Sequence, residues 1–303
     1  MPIEFARNGD VEIAYERLGN PDGEPLLLIM GTALQMVMWP DGLCDALAAG
    51  GFAVARFDNR DAGLTTHFPQ AGRPGLAKDW FRAEKVAAYR LEDMADDTVA
   101  VMSALGWEDA HLLGASLGGT IALMTALRHP ARVRTLSLAS TYAGWKRGRV
   151  NLATVTRLML AQGLRRYPPG REGYVRRFVD GMRVLASPGH PPDEAWWREA
   201  AALSYDRRPD PEGGPARQSA AVGATGDLLP RLPAITAPTL VVHGRNDPMI
   251  RPRAAVEIAG AVPGARLVLY PGMGHELPRA LWPSIAAEVR ALASGSPADA
   301  APS

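Results

Sequence analysis

Gly114-Ala115-Ser116-Leu117-Gly118 sets a serine between two glycines in the pattern G-x-S-x-G. The apolar run Ala110-His111-Leu112-Leu113 before it reads as a buried strand, and residues 119–127 after it, small and apolar, read as a helix. A serine on such a strand-to-helix turn takes a strained backbone conformation, so the residues two positions either side must be very small. The turn lifts the hydroxyl clear of the sheet and aims the N–H of Leu117 at the place where an oxyanion would form. With 31 glycines among 303 residues the pentapeptide alone says little, and its flanks are what raise it.

A serine hydroxyl is a poor nucleophile until a base takes its proton. Two later loops, each after an apolar run, offer the missing groups: Gly244-Arg245-Asn246-Asp247-Pro248 carries Asp247, and Pro271-Gly272-Met273-Gly274-His275-Glu276 carries His275. His275 can serve as the base near neutral pH. A buried carboxylate on the other ring nitrogen would fix the tautomer and stabilise the imidazolium, and Asp247 is placed for that role. The order Ser, Asp, His is the one that a doubly wound sheet uses for nucleophilic catalysis. A second oxyanion donor is needed besides Leu117, and the N–H of Thr32, after Gly31, is the choice.

Five other histidines compete. His67 and His190 fall in loops, His129 precedes a proline at a helix end, and His111 begins a strand at the wrong edge. His243 ends a strand and is the serious rival, read as structural because it precedes the acid loop. An acid could instead follow the strand at 133–139, but Ser140-Thr141-Tyr142 there contains no carboxylate. Asp58, Arg60 and Asp61 read as a polar turn that holds its own loop.

These groups need strands that end at one edge. Residues 3–6 and 11–18 alternate around Asn8-Gly9-Asp10, a hairpin signal. Residues 25–30 (PLLLIM) form a continuous apolar run, the mark of a strand covered on both faces. Further strands are expected at 52–57, 133–139, 238–243 and 266–270, with helices at 41–49, 91–105, 252–262 and 277–293; residues 67–84 read as loop. Strands alternating with helices give an α/β fold with a doubly wound, mostly parallel sheet, whose ligand sites lie at the carboxyl ends of the strands. From about 142 to 232 strand signals vanish. Helices are expected there at about 151–166, 171–186, 193–207 and 215–229, broken by Pro and Gly runs. The division is therefore a core of 1–141 and 232–303, whose residues 294–303 form a small-residue tail, and a helical cap at 142–231. Met36, Trp39, Trp145, Phe178, Met182 and Trp196 are candidates for a substrate pocket.

Apolar content of 47% and charged content of 21% are ordinary for a soluble globular protein, and a net charge of +1 gives no reason to expect nucleic acid or an anionic membrane. The single cysteine, Cys44, leaves no intrachain disulfide or cysteine metal site and reads as a buried thiol in a helix. No metal ligand set is seen. The N-terminal MPIEFARNGDVEI lacks a signal pattern, and no apolar run approaches the ~18 residues of a membrane span, so a cytoplasmic protein is expected. Nothing in the sequence fixes the oligomeric state.

The chain resembles the α/β-hydrolase superfamily over nearly its whole length. Within it, MGTALQMVMWPDGL, RFDNRDAGLT, LEDMADDTVAVMSALG, GASLGG, GRNDPM and PGMGHELP resemble the esterases related to aclacinomycin methylesterase, which remove a methyl ester from an anthracycline polyketide, and also the serine esterases that open macrolide lactones. The resemblance implies a cofactor-free triad of Ser116, Asp247 and His275, with Thr32 and Leu117 as oxyanion donors. Many relatives carry His-Gly at the oxyanion turn, where this chain has Met30-Gly31. A serine at the elbow argues against haloalkane dehalogenases and epoxide hydrolases, whose nucleophile there is aspartate. The expected function is hydrolysis of a carboxylic ester or lactone of a bulky, mainly apolar small molecule. C–C bond hydrolysis, amide hydrolysis and perhydrolysis by the same triad are alternatives, as is a non-catalytic ligand binder on this fold.

Overall fold

The computed structural model describes residues 2–74, 83–146, 148–163, 165–209 and 212–295. The opening hairpin pairs β1 (Glu4–Asn8) with β2 (Val11–Gly19) across a turn in which Gly9 takes φ 57°. The apolar runs follow as β3 (Glu24–Ile29), β4 (Phe52–Phe57), β5 (Ala110–Ala115), β6 (Val133–Ala139), β7 (Thr239–Gly244) and β8 (Arg266–Tyr270). They lie in one sheet in the order β1-β2-β4-β3-β5-β6-β7-β8, with β1 and β2 antiparallel and every pair from β4 onward parallel. The strand order reverses around β3, so the crevice between the ends of β3 and β5 is the switch point at which such sheets hold ligands.

Successive side chains of a strand point to opposite faces, and β3 shows the consequence. Leu26 and Leu28 join one core layer with Leu43 and Leu47 of α1 (Asp41–Ala49), while Leu27 and Ile29 join the other with Met94 of α3 (Leu91–Ala104) and Ile121 of α4 (Leu117–Arg128). Both faces of the strand are covered, so its sequence is apolar throughout instead of alternating. Between α1 and α3 a short α2 (Ala83–Val86) forms, where a loop was expected, and residues 75–82 of that loop lie outside the described residues.

After β6 come α5 (Leu152–Gly163), α6 (Arg171–Leu185), α7 (Glu194–Arg207) and α8 (Gly214–Thr225). The last is shorter than the expected 215–229 because Gly226, at φ 83°, ends it, and a 3-10 turn at Leu229–Ala234 follows. Among the described residues between β6 and β7 no strand forms, apart from an isolated bridge of Val150 to Ile250. The chain closes with α9 (Pro252–Ala261) and α10 (Trp282–Ser294). The helix expected to begin at 277 begins at Trp282, since Pro278 disfavours a helical Leu277 and Pro283 fits the first turn, where a missing N–H costs nothing. Ser294 is still helical and Gly295 ends the helix at φ 68°; the remainder of the expected tail, 296–303, lies outside the described residues.

The helices α7 and α8 are bonded to loops at the carboxyl ends of the strands by buried charges. Arg207 Nη2 lies 3.1 Å from Asp58 Oδ2. Arg217 donates to both oxygens of Asp61, at 2.6 and 2.8 Å, and both side chains are 0% exposed. Tyr89 adds a third bond to Asp61 at 2.8 Å. Removing one partner of a buried ion pair leaves the other uncompensated in low dielectric. Arg217→Met is therefore expected to destabilise the fold by about 3–5 kcal/mol, read from urea unfolding midpoints; an unchanged midpoint would show that the pair does not hold α8 down.

Candidate active site

Ser116 sits between β5 and α4 at φ 53° and ψ −120°, half-buried. The two glycines are there for contact. A Cβ on Gly114 would stand 2.3 Å from the Gly118 carbonyl oxygen, and one on Gly118 would stand 1.9 Å from the Ile29 carbonyl oxygen at the end of β3. Strand, helix and the neighbouring strand thus close to distances that no side chain permits. Thr141, after β6, donates its hydroxyl to the Ser116 carbonyl at 2.6 Å and buttresses the turn.

Ser116 Oγ lies 3.2 Å from His275 Nε2, and His275 Nδ1 lies 2.7 Å from Asp247 Oδ2. The other carboxylate oxygen of Asp247 accepts the N–H groups of Met249 and Ile250, both at 2.8 Å, so the acid is held by its own loop. Because a carboxylate only accepts, Nδ1 carries the proton and Nε2 faces the serine as an acceptor. Burial disfavours the imidazolium of His275, but the charge of Asp247 and its hydrogen bond outweigh this and hold the histidine above its ordinary value. This row contains a hydroxyl, a proton acceptor aimed at it, and an acid that stabilises the protonated acceptor. Such a row can add an oxygen nucleophile to a carbonyl carbon.

The loop after β3 passes against the serine: a Cβ on Gly31 would lie 3.2 Å from Ser116 Cβ. Thr32 follows it. Leu117 opens α4, where the first N–H groups have no intrahelical acceptor. The loop is pinned at Met30, whose carbonyl accepts from Asn59 at 2.8 Å, and at Met36, whose N–H donates to Asp58 at 2.6 Å. Asp58 also receives the N–H of Leu64 at 3.0 Å, so the polar turn at 58–61 holds the β3 loop and α7 as well as its own loop. The His275 loop is pinned from α6 and the segment after it. His275 N–H donates to Leu185 O at 3.0 Å, Gly274 N–H to Ser187 Oγ at 2.8 Å, and Ser187 N–H to Glu276 at 3.1 Å.

The six pocket candidates are spread out. Met36 and Trp39 are buried, Trp39 within the core layer that contains Met30 and Met38. Phe178 and Trp196 are half-buried against that same layer, Met182 is half-buried on α6, and Trp145 packs on the opposite layer with its ring 5.4 Å from that of Tyr142. His243 is wholly buried, donates Nε2–H to Ile250 O at 2.9 Å, and stands 3.6 Å from Asp247 Oδ2, beyond hydrogen-bond reach. Burial pushes its pKa down. His111 meets Glu24 and Thr135, His129 meets Asp96, and His67 meets the Gly63 carbonyl. Burial pushes the Cys44 thiol up to about 12, which keeps it protonated and unreactive. Sequence reasoning did not single out Asn59, Gln218, Arg207 or Thr141. The RFDNRD run was a visible signal for Asn59; the other three meet their partners only through the fold.

A family model described as alpha/beta hydrolase fold matches residues 24–278. The chain is 30% identical to a rhodomycin D methylesterase of Streptomyces sp. (strain C5), over 95% of this chain and 97% of that one. It is 29% identical to a pimeloyl-[acyl-carrier protein] methyl ester esterase of Nitrosospira multiformis, over 88% and 92% of the two chains. An esterase of a Rhodococcus species shares the fold at a TM-score of 0.72 and 22% identity, over 97% of this chain and 99% of that one.

Proposed function

The chain belongs to the α/β-hydrolase fold family, and from that premise we propose that it is a serine hydrolase of carboxylic esters acting through an acyl-enzyme. The observation that carries the reading is the row Ser116, His275, Asp247 at 3.2 and 2.7 Å. Ser116 Oγ attacks the ester carbonyl while His275 Nε2 takes its proton. The N–H groups of Thr32 and Leu117 receive the developing oxyanion, and Asp247 stabilises the imidazolium. His275 then protonates the leaving alkoxide, the acyl group stays on Ser116, and a water deprotonated by His275 releases the acid. No cofactor enters these steps.

The substrate is a bulky, mainly apolar natural product, a polyketide methyl ester or a macrolide lactone, met in the cytoplasm. Similarity to a methylesterase over nearly the full length supports the methyl ester. Residues 142–231 act as a lid over the carboxyl edge, with the half-buried Phe178, Met182 and Trp196 contributing to its apolar wall; Met36 and Trp39 are buried and Trp145 packs against the opposite layer. Among the described residues no helix is long and apolar enough to cross a membrane. The test is labelling by a fluorophosphonate together with a panel of methyl-ester polyketides and macrolides followed by mass spectrometry. Release of methanol or ring opening is the expected result; labelling without turnover of any ester would assign the triad to another bond.

The raised pKa of His275 sets the pH dependence. The base works only when neutral, so kcat should rise with pH through the folded value, which Asp247 holds above the ordinary ~6.5. Asp247→Asn removes the raising influence and leaves burial, so the limb should move to lower pH while kcat falls on the order of 10⁴-fold. A limb that stayed in place would show that Asp247 does not govern the base.

A further inference from the structure

We propose that Gln218, on α8, is a positioning residue for the oxyanion loop: its carboxamide bridges the Ala33 N–H and the Arg60 carbonyl and thereby holds the Thr32 N–H toward Ser116. The inference rests on the ester-hydrolase reading of that loop. Ala33 has φ 63°, a left-handed conformation in a residue that carries a Cβ. Such a conformation persists only where its surroundings over-determine it. The bond inside the turn, Leu34 N–H to Gly31 O, is long at 3.4 Å. The short bond is external: Ala33 N–H donates to Gln218 Oε1 at 2.8 Å. The N–H of Ala33 and the carbonyl of Thr32 belong to one planar peptide, so fixing that N–H fixes the backbone of Thr32 on its carboxyl side.

Gln218 is suited to the task. It is wholly buried, and its Nε2 donates to the Arg60 carbonyl at 2.7 Å. The Ala33 N–H can only donate and the Arg60 carbonyl can only accept, so the two partners determine which way the carboxamide faces. Its neighbour Arg217 grips Asp61 with two bonds, at 2.6 and 2.8 Å, which fixes the helix that carries both residues. The lid segment therefore reaches the Ala33 turn through the Gln218 side chain, without touching the reacting atoms; farther along the same loop Gln35 bonds to the Ser204 and Arg208 carbonyls and to Arg207.

The experiment compares Gln218→Met, similar in length but unable to accept from Ala33 N–H or donate to Arg60, with Gln218→Glu, which keeps the acceptor. Rates are expressed per active site titrated with fluorophosphonate, so a loss of folded protein does not count. Gln218→Met should lower kcat on the order of 10- to 100-fold through a displaced donor, with KM little changed. The pH limb should stay in place, because His275 and Asp247 are untouched. An alkyl boronic acid, whose adduct on Ser116 places an oxygen in the oxyanion site, should bind more weakly by a similar factor. Gln218→Glu keeps the acceptor for Ala33 N–H but turns a carboxylate oxygen toward the Arg60 carbonyl, so it should recover part of kcat and stay clearly above Gln218→Met. Gln218→Asn, too short to span both partners, should show the same loss and serves if Gln218→Met does not fold. Wild-type kcat per titrated site in the Met or Asn variant overturns the proposal, as does an equal loss in the Glu variant. A wild-type protein with neither labelling nor ester turnover overturns the serine-hydrolase reading, and this inference with it.

Discussion

Ser116→Ala is expected to lower kcat for any ester that the wild type hydrolyses by at least about 10⁴-fold. The hydroxyl removed is the one that His275 Nε2 faces at 3.2 Å, and among the described residues no other hydroxyl is bonded to that nitrogen. The residual rate should be that of the oxyanion donors acting on water, on the order of 10³-fold above the uncatalysed reaction. The fold should survive. The serine backbone is at φ 53°, and alanine already occupies φ 63° elsewhere in this chain, at Ala33. Initial rates on an activated ester, with circular dichroism and a melting curve as controls, check the expectation. A folded variant that kept more than a few per cent of activity would exclude Ser116 as the nucleophile.

What was legible in the sequence is what short-range pattern encodes. β4 and β6 were readable to their last residues, Phe52–Phe57 and Val133–Ala139, because each is a short, mainly apolar run set off by turn residues, Gly50-Gly51 and Asp58-Asn59 around the first, Pro130 and Ser140 around the second. The three strand-end loops were readable because a parallel sheet brings its carboxyl ends to one edge, and reactive residue types stood just past three of them. The supports of those loops were hidden. Ala33 and Gln218 are 185 residues apart, Asp58 and Arg207 are 149 apart, and nothing local marks such partners. Arg217 looks like any helical arginine in a chain rich in them; only the packing of α8 shows it to be buried against Asp61. The polar turn at 58–61 was visible as a turn, yet its acidic groups serve the β3 loop and two helices that enter more than a hundred residues later. Residue type is all that marks the pocket candidates in the sequence, and type cannot separate Trp39, in a core layer, from Trp196, at its margin.

His275→Ala should cost about as much as Ser116→Ala, because a nucleophile and its base act as a unit and either loss removes the whole. The chain contains a second histidine beside the same acid, which makes the experiment discriminating. His243 lies 3.6 Å from Asp247 Oδ2, but its Nε2 proton is committed to the Ile250 carbonyl at 2.9 Å, and the ring is wholly buried. It helps to fix the acid loop and has no bond to Ser116. His243→Gln should therefore reduce stability, since it breaks a buried hydrogen bond worth about 1 kcal/mol, while kcat per titrated site stays within a few-fold. In His275→Ala the serine loses its only proton acceptor among the described residues, so fluorophosphonate labelling should slow in step with turnover. The double variant Ser116→Ala with His275→Ala should be no worse than either single change. Loss of labelling in His243→Gln together with its survival in His275→Ala would transfer the base to His243. A double variant far slower than both singles would show that the two residues act independently, and that the proton from Ser116 does not pass to His275.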